Sequence, residues 1–204
     1  MNTKNTRALD LTAALPVRGE ELDALRDRLA RAADRDGLLD VAYRTVDTPL
    51  GTLLLAATER GLVRVAYERE EFERVLETIA QRVSPRIVRT PARLDEVARE
   101  LDEYFTGHRT SFDLTLDHSL SSGFRAEVQR SLPSIAYGHT ASYGDIARLV
   151  GRPRAVRAVG TACATNPLPI VVPCHRVVRS DGSYGGYVGG ADAKTTLLTM
   201  ESAA

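Results

Sequence analysis

The chain has 204 residues, 43% of them hydrophobic and 26% charged, with 27 Lys+Arg set against 27 Asp+Glu. That is ordinary globular composition, long enough for one large domain or two small ones, and it excludes a disordered or fibrous chain. Zero net charge removes any argument for a nucleic-acid partner from bulk electrostatics, although from Ser121 onward nine Arg/Lys face five Asp/Glu.

Residues 1–19 are polar and rich in Thr, Asn and Ala, which reads as a loose arm with no apolar core of a secretory signal. No apolar run approaches the roughly 18 residues of a membrane span. "EELDALRDRLARAADRDG" then sets Leu22, Leu25 and Leu29 at helical spacing before a stop at Gly37. The simplest expectation is a short helix packed on the body, a partner-binding helix being the alternative; residues 1–40 form an extension to the rest.

From Val41 the period changes. "VAYRTVDTPLGTLLLAATERGLVRVAY" holds three β-like runs separated by "DTPLG" and "ERG", the pattern of a small antiparallel meander. "EREEFERVLETIAQRV" and "TPARLDEVARELDEYFTG" return to helical spacing, the second bounded by Pro91 at its first position and Gly107 beyond its end. "SFDLTLD" alternates again and predicts a last strand. Residues 41–118 are therefore expected to form an α+β domain, and nothing in it carries recognisable chemistry.

Residues 119–204 are mainly helical in pattern. "GFRAEVQRSLPSIAYG" predicts one helix with Pro133 near its end. "SYGDIARLVG" opens with a capping box, Ser142 and Asp145, and closes at Gly151. "RPRAVRAVGTACATN" predicts a further helix from Pro153 to about Asn166. Two short helices joined by a tight turn fit a helix-turn-helix, with Arg152, Arg154 and Arg157 near the start of the second and a run of small side chains after them. A generic helical pair has the same pattern.

"LPIVVPCHRVV" is a β-branched run broken by Pro173, which frees the next residues from a strand ladder. The chain has two cysteines, Cys163 and Cys174, too few for a disulfide framework, so a reducing, cytoplasmic setting is expected. Buried free cysteine is often a small hydrophobe, and Cys163 fits that role. Cys174 adjoins His175, and a histidine that takes the thiol proton supplies the nucleophilic thiolate. Neighbouring side chains on a regular strand point to opposite faces, so the pair works only where the backbone turns, or through a water. Beyond this pair no metal-ligand spacing is present, and no bound structural metal is expected.

"NPLPIVVPCHRVV", followed by "YGGYVGG", a lysine and "LLTME", resembles the active-site region of the O6-alkylguanine-DNA alkyltransferase (methylated-DNA–protein-cysteine S-methyltransferase) family. "ASYGDIARLVGRPRAVRAVGTA" resembles its DNA-binding helices in the same order and spacing. The match runs from about Gly123 to Glu201, and more loosely back to Val41 through "TPLGTLLLAAT". The resemblance implies a small N-terminal sheet with helices, ribonuclease H-like, followed by a winged-helix-like DNA-binding domain. It implies stoichiometric, cofactor-free transfer of an alkyl group from O6 of guanine, and O4 of thymine, to Cys174.

Residue by residue, His175 matches the histidine that takes the thiol proton through a water, and Glu201 the carboxylate that orients it, the two together keeping the thiol ionised. Tyr143 matches the tyrosine that donates to the base and contacts DNA, and Asn166 the asparagine that ties the turn before the active site. The carbonyls of Cys174 and Val177 would receive the exocyclic amine, with Tyr187, Val188 and Gly189 forming the loop over the base. Arg157 falls where the family inserts an arginine into the vacated stack; Arg154, Gly160 and Thr161 share that DNA-facing helix region. The expected partner is duplex DNA, entered through the minor groove by a monomer. Val188 departs from the polar residue of some members, and the zinc ligands of some relatives have no counterpart. The alternative is a lesion binder of the alkyltransferase-like type, but those carry another residue, typically tryptophan, at the Cys174 position. A cysteine hydrolase does not account for the helix pair.

Overall fold

The computed structural model of the chain describes residues 35–202 and, before them, positions 24, 25, 28, 29, 32 and 33. Those six positions are helical, as the spacing predicts, but Leu25 and Leu29 are 59% and 68% exposed, so these two do not pack on the body. Leu22 and the arm at 1–19 lie outside the described residues.

The expected meander is present. β1 (Val41–Thr48), β2 (Gly51–Thr58) and β3 (Gly61–Tyr67) pair antiparallel in sequence order. The "TPLG" turn closes through the Thr48 hydroxyl, which donates to the Gly51 carbonyl at 2.7 Å, and Gly51 takes φ +91°. α1 (Phe72–Arg82) follows a short 3₁₀ turn and leads to β4 (Ile87–Arg89), which adds to β1 in parallel and gives the order β3-β2-β1-β4. Three residues are too few to show alternation, which is why β4 is not legible in the sequence.

β2 is buried on both faces: Leu54 and Ala56 pack with Val75 and Ile79 of α1, while Leu53, Leu55 and Ala57 face the main core. That explains its unbroken apolar run. α2 (Asp95–Phe105) covers the second face with Val97, Leu101 and Tyr104. It starts four residues after Pro91, which instead opens a 3₁₀ turn, and Gly107 follows its end at φ +77°.

"SFDLTLD" does not form a strand of the sheet. It meets β3 only where Leu62 donates to Thr115 and Asp117 donates to the Leu62 carbonyl. Further along the same edge, Val65 donates to the Pro167 carbonyl at 2.9 Å. β3's outer edge is thus shared between two segments, and neither gets a full ladder.

In the second half, α3 (Gly123–Ser131) is shorter than the predicted helix, because Pro133 sits in a separate 3₁₀ turn. β5 (Ala141–Ser142) precedes α4 (Tyr143–Leu149), whose capping box is made as expected: Asp145 N–H donates to Ser142 Oγ at 3.1 Å and Ser142 N–H to Asp145 Oδ2 at 2.8 Å. Gly151, at φ +70°, turns the chain toward α5 (Val156–Ala164). α5 begins three residues after Pro153, leaving Arg152 and Arg154 in the turn and Arg157 in the first helical turn. β6 (Val177–Val178) pairs in parallel with β5, and α6 (Ala191–Ser202) completes the chain.

Leu55, Tyr104, Val128, Val159, Cys174 and Leu197 belong to one buried cluster, so the core is continuous between the N-terminal and C-terminal halves. Among the described residues no helix is long and apolar enough to cross a membrane.

Candidate active site

Three prolines between Asn166 and Cys174 remove backbone donors, and the segment is not the strand its β-branched residues predict. Turns run to Pro173, and Cys174–Arg176 form a single 3₁₀ turn before β6. The organiser is Asn166, 1% exposed, whose amide replaces the missing ladder. Its Nδ2 donates to the Val172 carbonyl at 2.8 Å, and its Oδ1 accepts from Leu168 N–H at 3.1 Å. Ile170 is held at φ +74°, a left-handed conformation that costs a β-branched residue about 1–3 kcal/mol.

Asn166 Nδ2 also donates to Cys174 Sγ at 3.2 Å. The sequence reading gave Asn166 only the turn, so this contact adds a direct link to the thiol. Cys174 is 2% exposed. Burial pushes its pKa up to about 11, against the opposing effects of the Asn166 hydrogen bond and the Lys194 charge. The resting thiol is therefore protonated at neutral pH, which corrects the expectation that His175 and Glu201 keep it ionised. Cys163, also buried, is pushed to about 12 by the same cause, with no base beside it.

His175 is fully buried and its Nε2 lies 2.9 Å from Glu201 Oε1. Glu201 also receives Arg176, through Nε at 2.9 Å on Oε2 and Nη2 at 2.9 Å on Oε1, and the Tyr104 hydroxyl at 2.6 Å. Burial opposes its ionisation, yet the His175, Arg176 and Tyr104 donors together hold its pKa at about 2. An ionised carboxylate on Nε2 requires the proton there, which leaves Nδ1 as the acceptor. Nδ1 is buried with no partner among the described residues, so thiol and imidazole do not hydrogen-bond directly. Burial lowers the His175 pKa in spite of Glu201, keeping the ring neutral and able to take a proton.

The loop after β6 closes over this relay. Tyr187 and Tyr67, from the end of β3, share a hydrogen bond between hydroxyls at 2.9 Å. A Cβ at Gly189 would lie 2.5 Å from the Tyr67 ring, and one at Gly185 would collide with the Tyr143 hydroxyl. Glycine is needed at both places because another residue's ring lies against the backbone. Tyr143 is half-buried, and burial raises its pKa, so it remains a donor. Val188 borders a cleft of about 290 Å³ together with Asn166, Arg64 and Arg82. The Val177 carbonyl already accepts from the fully buried Lys194 at 2.6 Å, and the Cys174 carbonyl from Val177 N–H. A carbonyl has two lone pairs, so each retains capacity for one more donor.

Arg154, Arg157 and Thr161 are exposed along the turn and α5, and Gly160 is half-buried with Tyr143 Cε1 4.0 Å from where its Cβ would be. Val159, Ala162 and Cys163 face inward. The outward face of α5 thus carries Arg157 among small side chains, close to the Tyr143 side of the buried relay.

The sequence reading missed Tyr104, Arg176, Lys194 and Tyr67. Arg176 adjoins the Cys-His pair and could have been suspected from a charged residue in an apolar run, and Lys194 is the lysine inside the quoted motif; Tyr104 and Tyr67 reach the site from distant positions.

Residues 123–203 match the model of the 6-O-methylguanine DNA methyltransferase DNA-binding domain, and residues 41–118 that of the same protein's ribonuclease-like domain. A methylated-DNA–protein-cysteine methyltransferase of Mycolicibacterium paratuberculosis is 40% identical over 161 residues, covering 79% of this chain and 92% of the relative. The constitutive Bacillus subtilis protein of the same name is 40% identical, covering 78% and 94%. Among solved structures, Mycobacterium tuberculosis OGT in complex with DNA superposes with a TM-score of 0.69 at 36% identity, covering 79% of this chain and 93% of that one.

Proposed function

The chain belongs to the 6-O-methylguanine DNA methyltransferase family, and from that membership we propose how its own residues repair DNA by direct transfer of an alkyl group to Cys174. The substrate is O6-alkylguanine in duplex DNA, and O4-alkylthymine by the same displacement. The observation that carries the reading is the Glu201–His175 pairing, which leaves the buried His175 Nδ1 as an acceptor without a partner among the described residues, one position along the chain from a buried, protonated thiol.

His175 takes the thiol proton through a bridging water, and the developing imidazolium is stabilised by ionised Glu201. The Asn166 amide stabilises the growing negative charge on sulfur. The thiolate displaces the base at the alkyl carbon: the S–C bond forms, the C–O6 bond breaks, and its electron pair returns to the purine. Tyr143 donates to the base as that charge arrives, and the proton surrendered by the thiol restores guanine. The product is a thioether and a normal base. No residue of the site can hydrolyse a thioether, so each chain acts once.

A base inside a duplex cannot reach a thiol that is 2% exposed, so the nucleotide leaves the stack and the 184–190 loop yields to admit it. Extrusion costs a few kcal/mol, and Arg157, which is exposed on α5, would fill the gap. Small side chains on the same face suit close approach to the minor groove, whose degenerate code serves a protein that must ignore sequence. A single chain supplies every group in this scheme, in keeping with a monomer.

The test separates binding from chemistry. Cys174→Ala should bind O6-methylguanine duplex as the wild type does, while transferring nothing. Loss of binding in the folded variant would contradict the assignment of DNA contacts to α4 and α5.

A further inference from the structure

We propose that Tyr104 is a positioning residue of the proton relay, so that the N-terminal half of the chain shares directly in activating Cys174. The inference rests on the alkyl-transfer reading above and extends it to a part of the chain with no reacting group.

Tyr104 lies in α2, 97 positions before Glu201. Its ring is fully buried, with Phe105, Phe112 and Tyr137 at centroid distances of 5.4, 5.2 and 6.1 Å. A phenol in such a place must find a partner. The one it has is Glu201 Oε1, at 2.6 Å. The same oxygen takes His175 Nε2 and Arg176 Nη2, each at 2.9 Å. Burial and the Glu201 charge keep the phenol protonated throughout the working range, so it is a permanent neutral donor.

Three side chains donate to one carboxylate oxygen and compete for its charge. The pull of Glu201 on the imidazole, and with it the basicity of Nδ1, therefore depends on how much of that charge Tyr104 withdraws. Removing the hydroxyl leaves Glu201 a stronger acceptor for an imidazolium. The His175 pKa then rises, and the ring stays charged, unable to take the thiol proton, to higher pH. A ring that served only to pack would leave this balance unchanged. Among the described residues the other charged or titratable groups facing the pair are Arg176, Lys194, Tyr137 and Tyr187, and the test alters none of them.

The full chain and Tyr104→Phe are reacted with O6-methylguanine duplex and with free O6-benzylguanine between about pH 5 and pH 9. The acid limb of the rate profile should move up by on the order of half a pH unit in the variant, by the same amount for both substrates. Phe112→Leu disturbs the same ring cluster without touching Glu201, and should lower stability with the profile unmoved. Site-specific replacement of Tyr104 by 3,5-difluorotyrosine keeps the ring, strengthens the donor and should move the limb to lower pH; it decides the matter where the phenylalanine variant folds poorly. Transfer by the wild type with an unmoved limb in these Tyr104 variants, or an equal shift in Phe112→Leu, overturns this proposal alone. A wild type that transfers nothing overturns the alkyl-transfer reading and this proposal with it.

Discussion

Replacing Glu201 by glutamine keeps the size of a side chain that is 2% exposed and removes the carboxylate that pairs with Arg176 at 2.9 Å. The Glu201 carboxyl titrates at about 2, below its ordinary 4.5, so linkage assigns it about 3 kcal/mol of stability at neutral pH. Breaking a buried ion pair from one side independently gives about 3–5 kcal/mol. The sign follows from the lowered pKa: the contribution is fully present above pH 4.5 and is lost as pH falls toward 2. Equilibrium urea unfolding of wild type and Glu201→Gln at a series of pH values reads the difference directly, since the other carboxylates cancel between the two proteins. The gap should be about 3 kcal/mol at pH 7 and have shrunk by roughly half or more at pH 3. A gap that stays constant over that range, or one below about 1 kcal/mol at pH 7, would refute the claim that Glu201 is ionised and held by its donors.

Arg157→Ala should slow transfer from alkylated duplex by about tenfold or more while leaving free O6-benzylguanine within about twofold, because the free base needs no extrusion. Equal losses in rate assays on the two substrates would place Arg157 in the chemical step. Cys163→Ala should lower stability by about 1 kcal/mol in thermal or urea unfolding and leave transfer within a few-fold, since Cys163 is buried on the inner face of α5. Complete loss of transfer in the folded variant would show that Cys163 takes part.

Much of the fold can be read along the chain because periodicity and turn chemistry agree locally. The meander, the Ser142–Asp145 capping box and the Gly151 turn are each set by residues within a few positions of one another. The departures come where distant segments decide. "SFDLTLD" alternates like a strand but bonds β3 only at Leu62, the edge at Val65 being taken by Pro167. "LPIVV" has strand composition, yet the Asn166 side chain and the prolines make it a sequence of turns. The 3₁₀ turn at Cys174–Arg176 also replaces the regular strand that would have sent the Cys174 and His175 side chains to opposite faces. Cys174, His175 and Glu201 carry a motif legible by resemblance, whereas the Tyr104 hydroxyl and the Tyr67–Tyr187 contact join residues whose spacing has no local signal. The protonated state of the resting thiol also depends on burial, which no motif encodes.

The central claim is that Cys174, and no other residue, accepts one alkyl group per chain. Intact-protein mass after incubation with excess O6-methylguanine duplex, followed by peptide mapping, measures this directly. The account predicts a gain of one methyl in place of hydrogen, about 14 Da, located at Cys174 and not increasing with time. Several turnovers per chain, or the label at Cys163, would contradict it.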